Sequence, residues 1–205
     1  MPAYRTGSRD YLKRAKALRA AENIDALLYA ALEIRCGIEA RLHEYLDGAA
    51  KVATVKKGHW QIRLLAREVE GVFDIYSKPV QIIFTHPETN EEVKIEYTPV
   101  TAELRKIGEK LGDFLHYTAD HKLASKAFIN RLTSLIDEGI KGLEFSTRGS
   151  LLGPPRGSGP GNKQMSFIFE EGCMPSFFKI GAQANCKMKF ILVRKDEKWA
   201  YLKPA

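Results

Sequence analysis

At 205 residues, with 44% hydrophobic and 28% charged residues, the chain has a globular balance, which excludes a disordered chain and leaves room for one core with a small appendage. No stretch approaches the roughly 18 consecutive apolar residues of a membrane span. The start Met1-Pro2-Ala3-Tyr4-Arg5 leads into a charged segment rather than a signal peptide, and Cys36, Cys173 and Cys186 are an odd set with no C-x-x-C pair, so reduced thiols in a cytoplasm are expected.

The net charge is +7, and ten Lys/Arg against four Asp/Glu from Arg148 onward place +6 of it (10 − 4) in the last quarter. Such a segment suits an acidic partner, of which nucleic acid, RNA or DNA, is the commonest.

Taken in chain order, Ser8 is placed to cap a first helix over Asp10–Ala21, with Tyr11, Ala15 and Leu18 on one stripe and Arg9, Lys13 and Lys16 on a basic outer row. The second helix is the clearest. From Ile24 to about Leu46, the residues Ile24, Leu27, Leu28, Ala31, Ile34, Ile38, Leu42 and Tyr45 recur every three or four positions, and Asp47-Gly48 is expected to close it. A third helix is expected over His59–Glu70, with Trp60, Leu64 and Val69 inward and Arg63 and Arg67 outward.

The period then changes from helical to alternating. Val80, Ile82 and Phe84, the turn residues His86 to Asn90, and Val93, Ile95 and Tyr97 predict a β-hairpin bracketed by Pro79 and Pro99. Thr101 can cap a fourth helix carrying Leu104, Ile107, Leu111 and Leu115, where Gly108 and Gly112 should let another backbone approach. A last helix is expected from about His121 to Phe145, with Leu123, Ala127, Leu132, Leu135, Ile136, Ile140 and Leu143 inward.

Beyond Gly149 the composition shifts. The run from Gly153 to Gly161 has no large apolar side chain to bury and reads as a flexible Gly/Pro linker, followed by short strands at Met165–Phe169, Cys186–Val193 and Trp199–Leu202, the last two pairing as a hairpin. The expected fold class is α+β: a helical bundle over residues 1–148 with a hairpin inserted at about 79–99, a linker over 149–164, and a small β-rich basic tail over 165–205.

The stretch from Ala17 through Asn23, Ile24, Tyr29 and Glu33 to Ile38-Glu39-Ala40-Arg41-Leu42 resembles the opening helices of HEPN-like helical-bundle proteins. The resemblance implies a helical bundle, often dimeric, in a group that includes ribonucleases and toxin–antitoxin or phage-defence components. Its nucleolytic members carry an Arg followed by His after four to six residues. No His here has an Arg at that distance, and the nearest case, Arg35 to His43, has seven residues between.

Several constellations have two readings. Arg35, Glu39 and His43, four residues apart, form a polar stripe that could hold a phosphate and move a proton, making them the catalytic candidates of a ribonuclease; the plainer reading is an ion-pair ladder. His116 and His121, with Tyr117 and Asp120 between, could bind a metal, but their spacing spans an interhelical turn, so neither metal nor cofactor is expected. Gly157 to Lys163 lacks the Gly-Lys-Ser/Thr of a phosphate loop.

Lys187, Lys189, Lys198 and Trp199 of the last hairpin, with Arg9, Lys13 and Lys16 of the first helix, are the nucleic-acid-binding candidates; the plainer reading of the hairpin is aromatics in a core and lysines in water. The expected function is a non-catalytic accessory protein that binds nucleic acid or a macromolecular complex through basic surfaces. A HEPN-like ribonuclease or toxin is one alternative. The other is a structural or interaction protein with no nucleic-acid role, which meets a protein partner or a second copy of itself; none of the readings involves a membrane.

Overall fold

The computed structural model describes residues 6–21, 23–50, 59–73, 77–85, 89–116, 125–157, 165–175 and 187–192. Along them run the helices α1 (Ser8–Arg19), α2 (Ile24–Ala50), α3 (Ile62–Val72), α4 (Ala102–Leu115) and α5 (Lys126–Arg148), and the strands β1 (Val80–Thr85), β2 (Glu92–Tyr97), β3 (Arg156–Gly157), β4 (Met165–Ser166) and β5 (Lys187–Leu192). The fold is α+β and mainly helical, as the sequence periods predict. No described helix is long and apolar enough to cross a membrane. The chain forms two compact units, one of residues 1–43, 58–68 and 100–147, the other of residues 44–57, 69–99 and 148–205.

The first unit is helical. Asn23 caps α2, its side-chain oxygen accepting from the Ala26 amide at 2.8 Å. Thr101 caps α4 by accepting from Leu104, and Ser125 caps α5 by accepting from Phe128, both at 3.2 Å. Ile34, Ile38 and Leu42 of α2 are buried, as are Ile62 and Leu65 of α3, Leu104 and Leu111 of α4, and Leu132, Ile136 and Leu143 of α5. Each such side chain contributes about 1.5–3 kcal/mol through the water-exposed area it loses.

Several local expectations for this unit need correction. Helix α1 starts at Ser8, with Gly7 in the capping position: the Gly7 carbonyl accepts from Asp10 and Tyr11, while Ser8 itself is fully buried. At Gly108 a Cβ would meet side chains, Ile62 Cδ1 at 2.7 Å and Ile38 Cδ1 at 2.9 Å, rather than another backbone. The last helix begins at Lys126, and residues 117–124, where His121 and Leu123 lie, are outside the described residues.

Ion pairs tie α1 to α2 and α5. Arg14 reaches Glu33 at 2.8 Å, Lys16 reaches Glu144 at 2.5 Å, and Arg19 holds both carboxylate oxygens of Asp137 at 2.8 and 3.2 Å. Deeper in, the fully buried Arg41 donates from Nε to the Ser146 carbonyl at 2.9 Å. Ser146 lies in the last turn of α5, where carbonyls lack helical partners and a positive charge is favoured.

The second unit is built on a sheet of order β2-β1-β5, antiparallel throughout. Val80, Ile82 and Phe84 of β1 are buried in strict alternation, as predicted, with Ile95 and Tyr97 of β2. Strand β5 pairs with β1, Thr85 opposite Lys187 and Val80 opposite Leu192; the hairpin expected with Trp199–Leu202 falls on residues outside the described ones. Alternation shows that a segment is a strand but not which edge it meets, and β1 offers a second edge.

Gly48 does not end α2, which continues to Ala50. A Cβ on Gly48 would lie 2.9 Å from Leu152 Cβ and 3.1 Å from Ile168 Cγ2, so this glycine serves packing. The described part of the Gly/Pro run is packed too. Leu151, Leu152, Gly153 and Pro154 are buried, the Leu151 amide donates to the Glu96 carbonyl at 3.0 Å, the Leu152 amide donates to the Ile168 carbonyl at 2.8 Å, and Arg156–Gly157 pairs with Met165–Ser166. The apolar neighbours Leu151 and Leu152 anchor the run's start. Residues 158–164, its Gly-rich centre, lie outside the described residues.

Candidate functional site

The stripe on α2 is in place as spaced. Arg35 Nε donates to Glu39 Oε1 at 3.2 Å, both side chains half-buried, with His43 one turn further and also half-buried. Gly112 of α4 makes room for this arrangement, because a Cβ there would run into Nη1 of Arg35. Burial pushes the Glu39 carboxyl above the ordinary glutamate range, and the Arg35 charge, its hydrogen bond and the charge of His43 hold it partly down.

Burial, then the neighbouring Glu39 and Glu33, raises the Cys36 thiol, so this cysteine is a protonated and poor nucleophile. Chemically the stripe offers a carboxyl that holds its proton more tightly than an exposed glutamate does. Its guanidinium is already matched to a carboxylate, so it would have to leave Glu39 before it served a phosphate.

On α1, Arg9, Lys13 and Lys16 are exposed, and Lys16 is the member of the row that reaches Glu144. Lys187 and Lys189 occupy register positions opposite Thr85 and Ile83 of β1. Lys198 and Trp199 lie outside the described residues, as do Tyr117, Asp120 and His121; His116 is exposed at the end of α4. Among the described residues, no three His, Cys, Asp or Glu side chains come together to hold a metal ion.

One group escapes a reading of the sequence. Trp60, expected to point inward, is 65% exposed. Helix α3 starts at Ile62, and its buried side is Ile62, Leu65, Ala66 and Val69, so Trp60 stands ahead of the first turn and off the buried stripe. Arg63 and Arg67, one turn apart on α3, are exposed and take part in no ion pair or hydrogen bond through their side chains among the described residues. The nearby Glu68 turns Oε1 toward Nε2 of His59 at 3.5 Å. The signal in the sequence is the pair of arginines at three and seven residues after a tryptophan, which spacing alone presents only as the outer face of a helix.

No family model, curated protein or solved structure matches the chain.

Proposed function

We propose that the chain is a non-catalytic accessory protein that binds nucleic acid through basic surfaces. The observation that supports it best is the exposure of the basic row of α1: Arg9, Lys13 and Lys16 all lie at the surface, where a phosphate backbone can approach.

Titration of labelled single- and double-stranded RNA and DNA against the full chain over a salt series tests this reading. Affinity should fall log-linearly with salt, and Arg9→Ala with Lys13→Ala should flatten the slope by about 0.7–0.9 for each phosphate no longer held. Absence of binding to every strand at low salt would overturn it. The protein-partner reading would then stand first, carried by Tyr29 and Leu32 of α2, which are 61% and 41% exposed.

A second reading, a HEPN-like ribonuclease or toxin, draws on the raised Glu39 carboxyl beside Arg35, with His43 one turn on. It requires that the purified chain cleave RNA and that His43→Ala abolish cleavage without moving the thermal midpoint. An intact chain that cleaves no RNA, with or without divalent metal, removes it.

A further inference from the structure

We infer that Trp60, Arg63 and Arg67 form a binding site for single-stranded nucleic acid, in which the Trp60 indole stacks on an unpaired base and the two guanidiniums hold the flanking phosphates. This rests on the nucleic-acid reading above and adds where the strand binds and in what form.

Three observations carry it. The first is the ring itself. Tryptophan is among the most buried side chains on average, yet Trp60 is 65% exposed, and its indole stacks on no other ring among the described residues. A large flat apolar surface left in water is what a base face can cover, and every base has one.

The second is the placement of charge. Arg63 and Arg67 sit four residues apart on one face of α3, an arrangement in which like charges repel and weaken the helix. Among the described residues neither guanidinium has a side-chain partner, and the neighbouring Glu68 faces His59. A bound anion would relieve that repulsion. Guanidiniums also present planar donors that fit phosphate oxygens in pairs.

The third is reach. The Gln61 carbonyl accepts from both Leu64 and Leu65, so the chain turns directly from Trp60 into the helix and keeps Trp60 within two turns of both arginines. That spacing suits one nucleotide and its neighbours on a single strand. In a duplex the base faces are stacked inside, out of the indole's reach, and only the phosphate contacts would remain.

The test uses the full chain and fluorescein-labelled oligouridylate, oligothymidylate and a duplex of equal length. Trp60→Ala should weaken binding of both single strands about 5- to 150-fold while leaving the duplex affinity and the salt slope unchanged, and Trp60→Phe should recover most of the loss. Arg63→Ala with Arg67→Ala should flatten the single-strand salt slope by about 1.4. An unchanged thermal midpoint for Trp60→Ala shows that the loss is not unfolding, as expected for an exposed ring.

If the intact chain binds single strands and Trp60→Ala binds them as tightly, the site is wrong and the broader reading stands. An equal loss on duplex and single strand also overturns it, because the ring would not be stacking on an unpaired base. If the intact chain binds no strand, both readings fall together.

Discussion

The fully buried Arg41 donates from Nε to the carbonyl of Ser146, 105 residues further along the chain, and places its charge at the C-terminal end of α5. A buried cation is costly unless hydrogen-bonded, and the last carbonyls of a helix supply acceptors. Arg41→Met keeps the stem and removes the guanidinium, and should cost about 1.5–3 kcal/mol in urea unfolding. Arg41→Ala adds a cavity and should cost about 3–5 kcal/mol. A Met variant as stable as the parent would show that the end of α5 does not depend on Arg41.

Two glycines in helices should respond to alanine with opposite signs. Gly71, near the end of α3, has nothing within 4 Å of where a Cβ would sit, so Gly71→Ala should stabilise by about 0.5–1 kcal/mol through helix propensity. Gly48 carries the same propensity gain, but its Cβ would press on Leu152 and Ile168, and Gly48→Ala should destabilise by about 1–3 kcal/mol. Parallel thermal melts of the two variants check the signs.

Tyr45 donates its hydroxyl to the Thr98 carbonyl at 2.5 Å while its ring meets Tyr97 edge-on, centroids 5.6 Å apart. Tyr45→Phe keeps the ring contact and removes the donor. Equilibrium unfolding should show a loss of about 1 kcal/mol, and a neutral result would mean that the carbonyl is satisfied without it.

Glu39 carries a pH prediction. Burial raises its folded-state carboxyl above the unfolded value, so the folded state holds the proton more tightly. The associated stability is fully present below the unfolded pKa and is lost as pH rises through the folded one. Relative to Glu39→Gln, which stays neutral, the parent should therefore lose stability as pH rises from the acidic side of the ordinary glutamate range toward neutrality. Denaturant midpoints of both proteins across that range check the sign. A difference that runs the other way would mean the Arg35 pairing outweighs burial.

The helices and the hairpin were legible because their core faces repeat. Ile34, Ile38 and Leu42 recur every four residues, and Val80, Ile82 and Phe84 alternate, so local spacing states which side is buried. What was not legible depended on distant partners. Gly48 looks like a terminator until Leu152 and Ile168 are seen against it, and the first half of the Gly/Pro run looks unpacked until Leu151 meets Glu96.

Trp60 shows a finer limit. A start of α3 at Ile62 rather than His59 takes the indole off the inward stripe, and helix starts are the least certain part of any periodic reading. The α2 stripe was legible as a spacing. That Arg35 lies against Gly112 was not, because nothing local to α2 names its neighbour.

Strand β1 lies between β2 and β5, and the β5 partner of Thr85 is Lys187. During synthesis at about 5–20 residues per second, the 101 residues between them (187 − 85 − 1) take roughly 5 to 20 s to be made after β1 leaves the ribosome. The β1–β2 hairpin can form early, but throughout that interval the other side of β1 presents unsatisfied amides and carbonyls beside the apolar row Val80, Ile82 and Phe84. A nascent chain with an open edge of this kind is a template for strands of its neighbours. Yield in cells should therefore fall with expression rate and recover with a holding chaperone, even where the finished protein is stable.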